Sequence, residues 1–241
     1  MRGSSPMKIF ILLVLIIGAS GLLAYAQRES ADPWQRKARL ETPLRMRDLQ
    51  KVPNLVPGWP PEAGKAFPPV RLTDAKGAEF SVELWRGKPT LIEIVAMSCA
   101  GCQAFSGGGA KGGYGGFPSQ GGLDSIEFYF KQYTGHDLFS DKINYAQILI
   151  YNLKLEPATA DDLSAWAKHF GFNEQRNTVL LTGGEQLANQ VSFRMIPGFL
   201  LLDRDLTVLF DSTGHTPRHN LWQVLLPAAK ALLDGERPDA N

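Results

Sequence analysis

"TLIEIVAMSCAGC", Thr90 to Cys102, is the stretch on which the reading of this chain turns. Thr90 to Val95 is a mostly apolar run that ends directly at a cysteine motif, so it reads as a buried central strand. The motif, Ala96 to Cys102, holds the only two cysteines of the chain, Cys99 and Cys102, with Met97 two residues before the first. Two chemistries fit it. Two thiolates and the Met97 thioether are a soft donor set for an ion such as Cu(I). A Cys-x-x-Cys pair is equally a redox dithiol. The motif alone does not choose between them.

Working outward, "VRLTD" and "EFSVEL" alternate around Ala75-Lys76-Gly77, a hairpin signal on the N-terminal side of the strand. On the C-terminal side "SGGGAKGGYGGFPSQGG", residues 106–122, is mostly glycine. The backbone entropy of such a run predicts a flexible insertion without regular structure. It lacks a Gly-Lys-Ser/Thr ending, which argues against a phosphate-binding loop. "LDSIEFYFKQY" carries Leu123, Ile126, Phe130 and Tyr133 at helical spacing, and "YAQILIYNL" reads as a second buried strand. "TADDLSAWAKHFG" has a capping box at Thr159 and Asp162, an apolar stripe of Leu163, Trp166 and Phe170, and Gly171 as its stop. A strand "NTVLLT", a helical "GEQLANQVSF", a hairpin "GFLLLDRDLTVLFD" and a closing helix "NLWQVLLPAAKALLD", which Pro227 would kink, complete the order. Alternating strands and helices predict an α/β domain with a central mixed sheet flanked by helices.

Composition narrows the classes. The chain has 241 residues, 44% hydrophobic, with a formal charge of +1. It carries no basic stripe with interleaved aromatics, which argues against a nucleic-acid binder. Two cysteines do not make the disulfide framework of a small secreted domain, so their chemistry is the better reason for them. At the N-terminus Arg2 and Lys8 precede an uncharged apolar run, Ile9 to Ala26, closed by Ala24-Tyr25-Ala26. Residues 1–26 therefore read as a signal peptide or a membrane anchor. Either puts the remainder outside the cytoplasm, although the arginines and lysine that follow, Arg28 to Arg47, run against the positive-inside rule. Residues 27–61 are polar and proline-punctuated and read as a spacer, leaving 62–241 as the folded domain.

At a strand-to-helix junction Cys99 falls at the helix N-terminus, where unpaired N–H groups and the macrodipole favour a thiolate. Such placement lowers a cysteine pKa from about 8.5 to between about 3.5 and 7.5. Cys99 would then attack a substrate disulfide and Cys102, one turn on, would resolve the mixed disulfide. Glu93 has two readings: a buried carboxylate with a raised pKa that relays protons to Cys102, or a solvent-facing group beside Lys88. His215 and His219 share H-x3-H spacing but enclose Pro217 and read as surface residues. His136 and His169 sit at predicted helix ends, where a cation is favourable. No nucleophile elbow supports a serine hydrolase.

A second element, "MIPGFLLLD", places the Ile196-Pro197 bond just before a strand, a position where proline is often cis. From Ala63 to the closing helix, about three quarters of the chain, the sequence resembles the membrane-anchored periplasmic thioredoxin-like proteins of the TlpA, ResA and DsbE type. The resemblance rests on "FPPVRLTDAKGAEFSVELWRGKPTLIEIVAMSCAGC" and "IPGFLLLDRDLTVLF" in that order. It implies a thioredoxin-like fold with an N-terminal hairpin and a thiol–disulfide oxidoreductase that needs no cofactor or metal. Cys99 and Cys102 would be catalytic, Pro197 would pack against them, and Ile196, Pro197 and Met97 would touch the bound substrate. Its partners would be disulfide-bearing exported proteins, such as apo-cytochromes or copper proteins in maturation, and an integral membrane thiol reductase as electron donor. The place implied is the periplasmic side of the inner membrane, reached through the N-terminal segment.

Departures from the family are Ser98 where a tryptophan is usual, Ala100-Gly101 where a proline is frequent, and the glycine-rich insertion. The rivals are a copper(I) metallochaperone using Met97, Cys99 and Cys102, with Met195 nearby, and a non-catalytic adaptor of the same fold. The strand-helix units after Cys102 fit poorly with the small βαββαβ heavy-metal-associated domains that share the Met-x-Cys-x-x-Cys loop.

Overall fold

A computed structural model describes residues 56–172 and 178–238. The run that reads as a central strand is one. β3, Thr90–Ala96, is buried at all seven positions. It pairs in parallel with β4, Asn144–Tyr151, on one side and antiparallel with β6, Gly198–Leu202, on the other. β5, Thr178–Thr182, extends the parallel side, and β7, Val208–Thr213, returns antiparallel along β6. The hairpin of β1, Leu72–Asp74, and β2, Glu79–Phe80, closes the far edge. The seven-stranded mixed sheet has the order β2-β1-β5-β4-β3-β6-β7. With its flanking helices this is a thioredoxin-like α/β fold.

The helices, in chain order, are α1 (Ala100–Phe105), α2 (Gly108–Lys111), α3 (Ile126–Thr134), α4 (Ala160–Phe170), α5 (Gln190–Arg194) and α6 (Leu226–Leu233). Side-chain alternation along β3 sends Leu91 and Ile92 to opposite faces. Ile92 joins Ile148, Leu163, Trp166, Met97 and Cys102 on one face, while Leu91 joins Phe130, Tyr145, Phe199, Phe210 and Leu225 on the other.

Local chemistry explains where the elements start and stop. Asp74 Oδ1 accepts from the N–H groups of Lys76 and Ala78, at 2.8 and 2.9 Å, and Gly77 takes φ +79, which shapes the β1–β2 turn. The second hairpin arm is shorter than "EFSVEL" predicts: Val82–Trp85 is a 3-10 turn that buries Trp85 and leaves Leu84 71% exposed. α4 has the predicted capping box and ends at Gly171, φ +70. The helix read in "GEQLANQVSF" is two pieces, a 3-10 turn at Gly184–Gln186 and then α5, because Asn189 accepts from the N–H groups of Val191 and Ser192 and starts a new helix. Helical structure runs unbroken from Leu221 to Leu233 through Pro227. The proline lies at the second position of α6, where the π-helical turn Leu221–Leu225 passes directly into the α-helix.

The packed domain starts before residue 62. Val56 and Trp59 are buried, and Trp59 Nε1 donates to Ser192 Oγ at 2.8 Å. The predicted leader, 1–26, and the spacer up to residue 55 lie outside the described residues. Among the described residues no helix is long and apolar enough to cross a membrane.

The segment 106–122 corrects an expectation. Predicted to lack regular structure, it contains α2 and is tied to the domain at several points. Tyr114 stacks edge-on against Trp166 at 5.5 Å and His169 at 5.1 Å. Lys111 Nζ donates to the Phe170 carbonyl, His169 Nε2 lies 3.2 Å from the Gly112 carbonyl, and Gln120 N–H donates to the Ala100 carbonyl at 3.0 Å. Glycine serves close packing here: a Cβ on Gly113 would stand 2.0 Å from the Phe117 carbonyl oxygen.

Candidate active site

The end of β3 delivers Cys99 to the N-cap of α1, with extended backbone at φ −79 and ψ 118. Its Sγ accepts from the Cys102 N–H at 3.5 Å, and Cys99 is partly exposed. Cys102 is buried in the first turn, its Sγ 3.9 Å from the Ile94 carbonyl oxygen. The two thiols differ sharply. The Cys102 thiol hydrogen-bonds to Cys99 and outweighs its partial burial; with the Cys102 and Gly101 N–H groups it brings Cys99 down from 9.0 to about 7. Burial, the Cys99 charge and Glu93 push Cys102 well up. Near neutral pH the pair is a nucleophilic thiolate over a protonated thiol.

Glu93 is fully buried on β3 and interacts electrostatically with both cysteines. Of its two readings the buried one holds, and the solvent-facing one does not. The parallel register sets Tyr145 opposite Leu91 and Gln147 opposite Glu93. Tyr145 Oη donates to Glu93 Oε2 at 2.6 Å and Gln147 Nε2 donates to it at 2.8 Å. Gln147 is itself held: its Oε1 accepts from Trp166 Nε1 at 2.9 Å, and its Nε2 also reaches Ser106 Oγ at 2.9 Å. Glu93 Oε1 has no hydrogen-bond partner among the described residues. Burial raises the carboxyl to about 7; the Tyr145 and Gln147 bonds oppose that rise and the Cys99 charge adds to it. A buried acid poised at that value, with one oxygen unpaired, is able to hold or release a proton beside the thiols.

Pro197 reaches the dithiol across the sheet. The Ile196-Pro197 bond is cis, as predicted. Space beside Gly101 measures the approach: a Cβ built there would lie 3.3 Å from Pro197 Cγ, 3.3 Å from Gln120 Oε1 and 3.8 Å from Cys99 Sγ. Ile196 is buried, and its N–H donates to the Phe193 carbonyl at 3.3 Å. Met97, read as a substrate contact, is 1% exposed and belongs to the core; its carbonyl accepts from Gln103 Nε2 at 2.7 Å. Met195 is also buried. His215 is exposed, and His219 Nδ1 accepts from the Asp211 N–H at 2.9 Å while its ring packs on Phe210. His136 Nε2 pairs with Asp234 Oδ1 at 2.8 Å.

Several site residues escape the sequence reading. Tyr145 and Gln147 interrupt an otherwise apolar strand at alternate positions, and that alternation, set against Glu93, is the signal that one face of β4 carries a polar network. Gln103 is fully buried and fastens the glycine-rich segment: Nε2 donates to the Tyr114 carbonyl at 3.2 Å and Oε1 accepts the Tyr114 N–H at 2.7 Å. A glutamine following Cys102 gives no local signal for such a contact.

No protein-family model and no curated protein matches this chain. Among solved structures it is similar to an uncharacterized conserved protein from Geobacillus kaustophilus, at 16% identity over 75% of this chain and 86% of that one, with TM-score 0.50. It is also similar to a secreted Mycobacterium tuberculosis disulfide oxidoreductase homologous to E. coli DsbE, at 14% identity over 68% of this chain and 96% of that one, TM-score 0.40. A third is copper-bound ScoI from Bradyrhizobium japonicum, at 18% identity over 71% of this chain and 99% of that one, TM-score 0.40. At these identities the likeness is one of fold.

Proposed function

We propose that the protein is a thiol–disulfide oxidoreductase that reduces disulfides of exported proteins, with Cys99 as nucleophile and Cys102 as resolving thiol. What carries this reading is the asymmetry of the two thiols: a partly exposed Cys99 lowered to about 7 above a buried Cys102 pushed well up.

In the reductive direction the Cys99 thiolate attacks one sulfur of the substrate disulfide. The new Cys99–substrate bond forms as the substrate S–S bond breaks, and the departing substrate thiolate takes a proton from solvent. Cys102 then gives its proton to the Glu93 carboxylate and attacks Cys99 Sγ. A Cys99–Cys102 disulfide forms, the second substrate thiolate leaves and is protonated, and two electrons have passed to the substrate. Glu93 returns its proton to solvent. A thiol reductant, an integral membrane reductase in this proposal, restores the dithiol. The chain would work on the periplasmic side of the inner membrane, tethered by residues 1–26 or released by cleavage near Ala26.

Insulin reduction with dithiothreitol tests the proposal. The wild type is expected to turn over, Cys99→Ser to lose activity, and Cys102→Ser to accumulate a mixed disulfide seen by mass spectrometry. A wild type that reduces nothing, keeps its dithiol under mild oxidant and binds Cu(I) tightly would sink the proposal in favour of the copper reading. Function retained in Cys99→Ser would favour the adaptor.

A further inference from the structure

We propose that Gln120 is a specificity-determining residue, and that the glycine-rich segment carrying it walls the groove in which a substrate's extended polypeptide meets Cys99. The inference rests on the thiol–disulfide reading above.

Three independent elements meet at one point. Cys99 Sγ from the β3–α1 junction, Pro197 Cγ from the residue preceding β6 and Gln120 Oε1 from the glycine-rich segment all lie within 4 Å of the position a Gly101 Cβ would take. A chain that brings its disulfide to Cys99 passes this point. Gln120 does not stand there by default. The segment is held on α1 by its backbone, Gln120 N–H to the Ala100 carbonyl at 3.0 Å, and by the double grip of Gln103 on Tyr114. The Gln120 side chain is exposed and makes no hydrogen bond to the described residues, so the fold does not need it for support.

A primary amide that both donates and accepts complements a peptide main chain whatever its side chains. The partner chemistry is therefore an extended peptide on either side of a disulfide-bonded cysteine. Gly101 belongs to the same arrangement, because any side chain there would press on Gln120 and Pro197 at 3.3 Å.

The full-length reduced protein is assayed on two substrates: a disulfide-linked extended peptide, and bis(hydroxyethyl) disulfide, which has no main-chain amide. The wild type is expected to prefer the peptide in kcat/KM. Gln120→Ala should lower that preference about five- to tenfold, mostly through KM, the size of one or two lost hydrogen bonds. A preference within about twofold of wild type overturns this inference alone. A wild type that reduces neither substrate overturns the thiol–disulfide reading and this inference with it. Gln120→Glu checks the placement separately. A carboxylate at that point should raise the Cys99 midpoint in an alkylation-rate titration, and an unmoved midpoint overturns the placement.

Discussion

Cys99 and Cys102 are the same residue type three positions apart, and only their surroundings separate them. Cys99 sits where N–H groups converge and where a neighbouring thiol donates to it; Cys102 sits among Ile94, Met97 and other buried groups with an acid close by. The largest influence lowering Cys99 is the Cys102 thiol itself. Two expectations follow for the reduced protein. The rate of Cys99 alkylation by iodoacetamide should rise with a midpoint near pH 7, and Cys102 should stay slow throughout. In Cys102→Ala the midpoint should move up towards an ordinary thiol value, because the donor is gone and only backbone N–H groups remain. A midpoint that does not move in this variant would show that backbone groups alone set the Cys99 value.

Elements differ in how openly the sequence declares them. β3, β4 and α4 are legible because long apolar runs, a capping box and a terminal glycine all point the same way. The dithiol and Pro197 are legible as motifs. Glu93 stands open until β4 is placed beside β3, since only the pairing of Glu93 with Gln147 shows what buries it. The glycine-rich segment misleads for a definite reason: low side-chain content implies entropy, but it also permits close approach, and sequence spacing does not say which use is made of it. Two substitutions separate these uses. Gly113→Ala puts a Cβ 2.0 Å from the Phe117 carbonyl oxygen and should destabilise by about 1–3 kcal/mol, the range for forced overpacking. Gly109 is exposed in α2 with its nearest atom 4.0 Å away, so Gly109→Ala should be neutral or stabilise by about 0.5–1 kcal/mol. Urea unfolding of both variants decides it, and equal, near-zero effects would mean that the segment does not pack as described.

At the scale of the whole molecule, the site leaves a mark on stability because its groups titrate differently once folded. Glu93 moves from 4.5 to about 7 on folding, so between those values the native state holds a proton that the unfolded state has released. Stability from Glu93 is therefore fully present below pH 4.5 and lost as pH rises through 7, by on the order of 3 kcal/mol. Cys99 moves the other way, from 9.0 to about 7, so its contribution grows as pH rises from 7 to 9 and is lost as pH falls back through 7. The opposed slopes predict a stability minimum near pH 7 for the reduced protein, measured as the difference from variants in which either group is neutral. In that comparison Glu93→Gln should remove the decline between pH 4.5 and 7 while leaving the rise above it, and Cys99→Ser should do the reverse. Unfolding free energies taken across pH 5 to 9 for the three proteins test the pair of slopes together. Parallel curves for wild type and Glu93→Gln would mean that the buried acid keeps its ordinary affinity for a proton, and the proton transfer from Cys102 to Glu93 would then have no thermodynamic basis.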